Sequence, residues 1–239
     1  MEFNPDELTN VNEKGAPKDG KPQLLDKRLF VQLLVFNGVK DSKTLINALE
    51  KSGIESVLYE DLNDPSSVGL LIMSEEPDFF TTKLRRFINE SSFSSLHIKP
   101  EYAMFGRTYS LGHERDLEDW LLRRVRRVTR NPLWSWAVWY PLRRKGSFAL
   151  LSAKEQGEIL MEHGTIGRAF GEKDLGHDVR LASYGLDKND NDFTIGLIGK
   201  DLHPLSLLVQ TMRKTKQTST YIEKMGPFFV GKAVYQSGL

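Results

Sequence analysis

Arg28-Leu29-Phe30-Val31-Gln32-Leu33-Leu34-Val35-Phe36 is a run of aliphatic, aromatic and β-branched residues, and it reads as a buried strand. A helix is expected next, from about Ser42 to Lys51, with Leu45, Ile46 and Leu49 as its apolar stripe. Ile54 to Tyr59 and Val68 to Met73 read as strands, the second after an Asp-Pro-Ser-Ser turn. Acidic residues and a proline then place a helix start near Ser74, with Phe79, Phe80, Leu84, Phe87 and Ile88 inward. A strand from about Leu96 to Thr108 completes the order βαββαβ.

The second half repeats that order. Trp134 to Tyr140 reads as a strand on which Trp134, Trp136, Val138 and Tyr140 face one side, and Ser135, Ala137 and Trp139 the other. Ser152-Ala153-Lys154-Glu155 is a capping box that opens a helix running past His163. Val179 to Tyr184 and Asp192 to Ile198 are strands around a turn-rich segment, Asp201 caps a helix with Leu205, Leu208, Val209 and Met212 inward, and Phe228 to Tyr235 is the last strand. The fold class expected is α+β: two tandem ferredoxin-like βαββαβ modules forming a barrel-like antiparallel sheet with outer helices. Residues 28–118 and 119–239 are the two modules. Residues 1–27, polar and without periodicity, read as a flexible extension or an arm that orders on a neighbouring subunit.

Composition narrows the function. With 39% hydrophobic and 27% charged residues the chain has the balance of a soluble globular protein. Its 33 basic and 32 acidic residues leave no basic excess for general nucleic-acid binding. The absence of cysteine excludes disulfides, zinc–thiolate sites, thiolate-ligated haem, iron–sulfur clusters and cysteine nucleophiles. No apolar run is long enough to span a bilayer, so no membrane insertion is expected and the cytoplasm is the expected location. Serine–histidine–carboxylate spacing, a phosphate loop, a dinucleotide fingerprint and His-Glu-x-x-His are all missing.

Met161-Glu162-His163-Gly164-Thr165-Ile166-Gly167-Arg168-Ala169-Phe170-Gly171 holds the chemistry that remains. Helical spacing puts Ile159, Leu160, Ile166 and Phe170 on one face with His163. Gly164 and Gly167 beside that face each cost roughly 1 kcal/mol of helix stability relative to alanine, a cost that a flat ligand needing a bare surface would offset. A lone histidine on an apolar face is more often a hydrogen-bonded core residue than a metal ligand. The segment Leu121-Leu122-Arg123-Arg124-Val125-Arg126-Arg127-Val128-Thr129-Arg130 reads either as a solvated basic face or as an anion site, arginine being suited to carboxylates by its planar fork. His113, His177 and His203 lie in turn-like surroundings and are expected at the surface.

Residues from about Asp119 to Tyr235 resemble the haem-binding half of the chlorite dismutase superfamily, and within it the coproheme decarboxylases. The resemblance rests on Arg124-x-Arg126 before Asn131-Pro132-Leu133, on Trp139-Tyr140-Pro141-Leu142, on Glu162-His163-Gly164-Thr165-Ile166-Gly167-Arg168, and on Met225-Gly226-Pro227-Phe228-Phe229-Val230-Gly231. It implies a homopentamer that takes a porphyrin substrate, iron coproporphyrin III, and uses hydrogen peroxide as co-substrate to remove two propionate carboxyls, giving haem b. By the same resemblance His163 matches the axial iron ligand, Tyr140 the tyrosine whose radical attacks the propionate, and Arg126 the arginine that holds a propionate. Arg144 or Lys145 falls where the family has a cation, and Arg180 is the candidate for the distal catalytic place, beside His177 and Asp178.

Two departures bear on activity. Chlorite-decomposing members have a glutamate bonded to the axial histidine, and counting back from Gly226 that place falls on Thr218 or Gln217. Those members also have a distal arginine, so an arginine at that place favours a chlorite-decomposing or peroxidase-like enzyme. A non-catalytic haem carrier is a further alternative.

Overall fold

The computed structural model describes residues 4–238. A single turn of helix, α1 (Pro5–Leu8), precedes a hairpin of β1 (Glu13–Lys18) and β2 (Lys21–Leu25). The first half then runs β3 (Phe30–Asn37), α2 (Ser42–Ser52), β4 (Ser56–Asp61), β5 (Ser67–Ser74), α3 (Asp78–Thr81), α4 (Lys83–Glu90), β6 (His97–Ile98) and β7 (Met104–Arg107). A π-turn at Asp119–Arg123 leads into α5 (Arg124–Thr129). The second half runs β8 (Trp136–Arg144), α6 (Ala153–Glu172), β9 (His177–Ala182), β10 (Phe193–Gly199), α7 (Leu202–Met212), β11 (Ile222–Met225) and β12 (Phe229–Gln236).

All strand pairings are antiparallel. The first half pairs in the order β7-β3-β5-β4 and the second in the order β12-β8-β10-β9. β4 pairs with β12, and Arg107 of β7 opposes Ala182 of β9, so the pairing returns to its starting strand. The protein is thus an α+β fold with one large antiparallel sheet and helices. No helix among the described residues is long and apolar enough to cross a membrane.

Alternation of side chains gives the sheet two apolar faces. One face gathers Val31, Leu33, Val57, Tyr59, Leu71, Ala137, Trp139, Val179, Leu181 and Phe229 into a single cluster. The opposite face is covered in the first half by α2 and α4, through Leu45, Leu49 and Leu84. In the second half it is covered by α6 and α7, through Ile166, Phe170, Leu205 and Leu208. Trp139 and Phe229 are fully enclosed, and glycines on the adjoining strand for Trp139 and on the second strand along for Phe229 make the room they need. A Cβ on Gly196 would lie 2.6 Å from the Trp139 ring, and one on Gly69 would lie 2.4 Å from the Phe229 ring.

Several expectations need correction. The N-terminal segment is not a featureless extension: residues 13–25 form the hairpin, and it docks on the loop between the halves. It has little apolar surface, and polar groups hold it instead. Gln23 donates to the Glu114 and Arg115 carbonyls and accepts from the Leu117 amide, while Glu13 accepts from Arg107 and Ser110. The helix expected at Ser74 starts at Asp78, because β5 continues through Ser74. The strand expected at Leu96 to Thr108 is broken by a 3-10 turn at Pro100–Tyr102, where proline removes a ladder donor. The capping box at Ser152 and Glu155 is present, but Asp201 makes no side-chain cap bond.

The glycine contacts are directly testable. Gly196→Ala forces a methyl group against the Trp139 ring and is expected to destabilise the fold by about 1–3 kcal/mol, read from urea unfolding. Gly164→Ala, where nothing lies within 4 Å, is expected to stabilise by several tenths of a kcal/mol to about 1 kcal/mol in the same measurement.

Candidate functional site

β8 places its chemistry by alternation. Ala137 and Trp139 belong to the enclosed cluster, while Val138, Tyr140 and Leu142 face the layer under α6 and α7. Tyr140 is 6% exposed, and its ring stacks on Phe228 with centroids 4.5 Å apart. Its hydroxyl bonds to no other described residue. Burial pushes that hydroxyl well above the usual tyrosine range, so the phenol keeps its proton.

His163 comes down from α6 into the same layer. Its Nδ1 lies 3.3 Å from Thr215 Oγ1, and Thr215 Oγ1 donates its own hydrogen to the Met212 carbonyl at 2.7 Å. With that hydrogen committed, the hydroxyl accepts, which assigns the proton of neutral His163 to Nδ1 and leaves Nε2 with a free lone pair. Burial lowers the His163 pKa, Arg180 and Arg144 push the same way, and Asp178 opposes them. The partner place counted to Thr218 or Gln217 is therefore Thr215. The π-turn at Gln217–Tyr221 adds residues that a count along a regular strand does not contain.

The wall facing His163 is built by β8, β10 and β9. Tyr140, Ile195 and Arg180 lie in one row across these strands. Strand spacing separates the Tyr140 and Arg180 backbones by about 10 Å. Asp178, two residues before Arg180, shares its face. His177 lies on the other face, where it stacks on Trp134 at 3.6 Å and bonds Asp174 at 2.9 Å. It is part of the packing and not the exposed surface residue expected. Of the three distal candidates, the structure brings Asp178 and Arg180 into the site.

The arginines sort by helix and strand geometry. Arg126 does not meet His163 or Tyr140. Its Nε bonds both Glu55 carboxylate oxygens at 2.9 and 3.0 Å, and its Nη1 bonds Glu75 at 2.9 Å. Arg124, two residues earlier and hence about 200° round the helix, faces the site instead and bonds Asp178 at 2.9 Å. On β8, Arg143 turns to the Asn189 and Asp190 carbonyls. Arg144 lies over the rings of Phe148 at 4.3 Å and Phe193 at 4.9 Å. No carboxylate among the described residues pairs with the Arg144 guanidinium, and its Nε is buried without a partner. Lys145 is exposed, and its amide bonds the Tyr221 carbonyl. Sequence reasoning missed Arg213, whose guanidinium lies 5.9 Å over the Phe228 ring, and Tyr109, packed at 5.9 Å on Phe193. Neither carries a local motif: each is brought in from a distant element by the sheet.

The layer thus combines a neutral imidazole with a free nitrogen, a protonated phenol, and unpaired guanidiniums among apolar rings. No group of three or more His, Asp or Glu among the described residues is placed to hold a bare metal ion. A single histidine suits a metal that arrives with its other ligands attached. A groove of about 380 Å³ lined by Arg130, Pro132 and residues 233–238 lies apart from these side chains.

The chlorite dismutase family model matches residues 71–234. Among solved structures, a novel haem-binding protein from Thermus thermophilus is 20% identical with a TM-score of 0.67, over 87% of this chain and 92% of that one. A double mutant of the chlorite dismutase from Candidatus Nitrospira defluvii is 14% identical with a TM-score of 0.67, over 88% of this chain and 93% of that one. A single mutant of the same enzyme in complex with cyanide is 13% identical with a TM-score of 0.66, over 88% and 92%. At these identities the likeness shows the fold. No curated protein matches the sequence.

The lowered His163 pKa makes a claim about stability. Unfolded, the histidine takes up a proton near pH 6.5; folded, it does so only at lower pH. Stability is therefore expected to fall as pH drops through and below about 6.5, because the unfolded chain binds the extra proton. Urea unfolding of wild type and His163→Gln at pH 7.5 and pH 5.5 checks this: the variant should lose less stability on acidification than the wild type.

Proposed function

The chain belongs to the chlorite dismutase family, and from that premise we propose that it is a haem-binding oxidoreductase that decarboxylates iron coproporphyrin III to haem b with hydrogen peroxide. The observation that carries this reading is the placement of His163, Tyr140 and the unpaired Arg144 in one layer between α6 and the β8–β10–β9 wall. In the same reading the sheet is a barrel-like pair of ferredoxin-like modules, residues 28–118 and 119–239, and the protein works as a cytoplasmic homopentamer.

The residues fit an iron porphyrin with acidic side chains. A porphyrin supplies the in-plane ligands that the protein lacks, so one histidine suffices. His163 offers Nε2 as the axial donor, and Thr215 fixes the tautomer that keeps this nitrogen free. Open space at Gly164, and only Met212 Cε at 3.6 Å from a Cβ on Gly167, leave this part of α6 bare enough for a flat ring. Arg144, with its orphaned Nε, and Arg213 supply charge for carboxylates. They take over the role that the resemblance gave to Arg126, whose guanidinium is held by Glu55 and Glu75.

Bound iron would supply the oxidising power drawn from peroxide. The chain's part is to deliver it to the substrate side chain. Tyr140 is buried and keeps its phenolic hydrogen, so it can give up an electron and that proton together and then take a hydrogen atom from the propionate chain. Each of the two reacting propionates then gives up carbon dioxide and a second electron, which bound iron would take up, and becomes a vinyl group; per propionate, one peroxide and one further proton end as two waters. The Thr215 hydroxyl is a neutral acceptor and draws less on the Nδ1 proton than a carboxylate would. That favours decarboxylation over chlorite decomposition. Arg180 on the wall facing His163 is the specific observation in favour of the second reading, a chlorite-decomposing or peroxidase-like enzyme.

The two readings separate in one assay. Purified protein is loaded with iron coproporphyrin III, titrated with hydrogen peroxide, and the porphyrin mass is followed. Loss of two carboxyl groups by the wild type is expected, with Tyr140→Phe slowed by at least about a hundredfold. An unchanged mass, or Tyr140→Phe at the wild-type rate, contradicts the reading.

A further inference from the structure

Asp178 is half-buried on the wall opposite His163, between two arginines. Its Oδ1 accepts from Arg124 Nη2 at 2.9 Å, and its carbonyl accepts from Arg124 Nη1 at 2.6 Å. Its Oδ2 lies 2.9 Å from Arg180 Nε, out of line for a hydrogen bond. Both guanidiniums lie over the Trp120 ring, Arg124 at 4.6 Å and Arg180 at 5.3 Å. Trp120 is itself fixed by its indole N–H to the Tyr109 carbonyl at 2.9 Å. The terminal nitrogens of Arg180 bond to no described residue.

Two opposing features therefore share this wall. Arg180 has donors free to hold a small anion. Asp178 stands next to it with a full negative charge: burial works against that charge, but Arg180 and Arg124 hold it in place. Asp178 and Arg180 are both half-buried, and once a flat ring covers this wall a carboxylate beside a binding place repels an anion more strongly than it would in open water, while it leaves an uncharged molecule alone.

We propose that Asp178 is a specificity-determining residue, one that ties Arg180 to Trp120 and makes the wall facing His163 favour an uncharged ligand over a small anion. The inference rests on the reading of this layer as a porphyrin site. It deepens that reading by assigning to one residue the choice of uncharged peroxide over an oxyanion. The positioning is mutual, since Arg180 also screens the carboxylate.

The test uses the haem-loaded full chain and reads binding, not turnover. Ferric wild type, Asp178→Asn and Arg180→Gln are titrated with fluoride, and the ferrous forms with carbon monoxide, by absorption spectroscopy. Asp178→Asn is expected to bind fluoride about tenfold more tightly than wild type with carbon monoxide affinity unchanged. Arg180→Gln keeps the carboxylate and removes its partner, and is expected to bind fluoride several-fold more weakly. Wild-type fluoride affinity in either variant, or a fall in Asp178→Asn, overturns the inference and leaves the porphyrin reading standing. A wild type that takes up no haem overturns both.

Discussion

The site depends on one strand having two dry faces. β8 sends Trp139 into the enclosed cluster and Tyr140, the next residue, into the layer beneath α6 and α7. Any slip of register by one residue would exchange them and place a phenol among aliphatic side chains. The register is held from both sides: by Gly196, which leaves room for the Trp139 ring, and by the ladders to β10 and β12. The position of Tyr140 is thus set by the packing of its neighbour. The same ladders align Arg180 with Tyr140 across Ile195, so the wall facing His163 follows from core packing.

α6 is the opposite case. It runs from Ala153 to Glu172, yet Ile159 is its one buried residue among those described. A helix held this lightly draws on its capping box at Ser152, on the contact of Ile166 and Phe170 with the sheet, and on the His163–Thr215 bond. Elements with few buried contacts are those most free to adjust to a ligand. A flat group entering beneath α6 would replace loose side-chain contacts with its own, and the glycines at 164 and 167 would then meet a surface. The apolar layer, the free imidazole nitrogen and the unpaired guanidiniums are parts of one arrangement suited to a flat, acidic, iron-bearing ring.

Much of the fold was legible because both periodicities are strong. The strands at Phe30, Ser67 and Phe193 and the helices carrying Leu45 and His163 announce themselves by pattern and by caps. The two faces of β8 follow from counting by two from Trp136; Trp134, expected beside Tyr140, precedes the strand and packs with the enclosed cluster instead. Non-local polar bonding was not legible. The hairpin at residues 13–25 has little hydrophobic signature, since Gln23 and Glu13 fasten it to residues more than ninety positions away. The choice of Arg124 over Arg126 needed the phase of α5, and that phase is set by Glu55 and Glu75 from the other half. Thr215 was hidden by the wide turn at Gln217–Tyr221. Tyr109 and Arg213 carry no motif and become site residues only once the sheet has folded.

The most direct measurement is the absorption spectrum of the haem-loaded protein beside that of His163→Ala. If His163 Nε2 is the axial donor, the wild type shows a histidine-ligated haem spectrum, and the variant loses it while remaining folded by circular dichroism. Exogenous imidazole should then restore the wild-type spectrum in the variant. An identical spectrum in wild type and His163→Ala would place the iron elsewhere and contradict the site between α6 and the β8–β10–β9 wall.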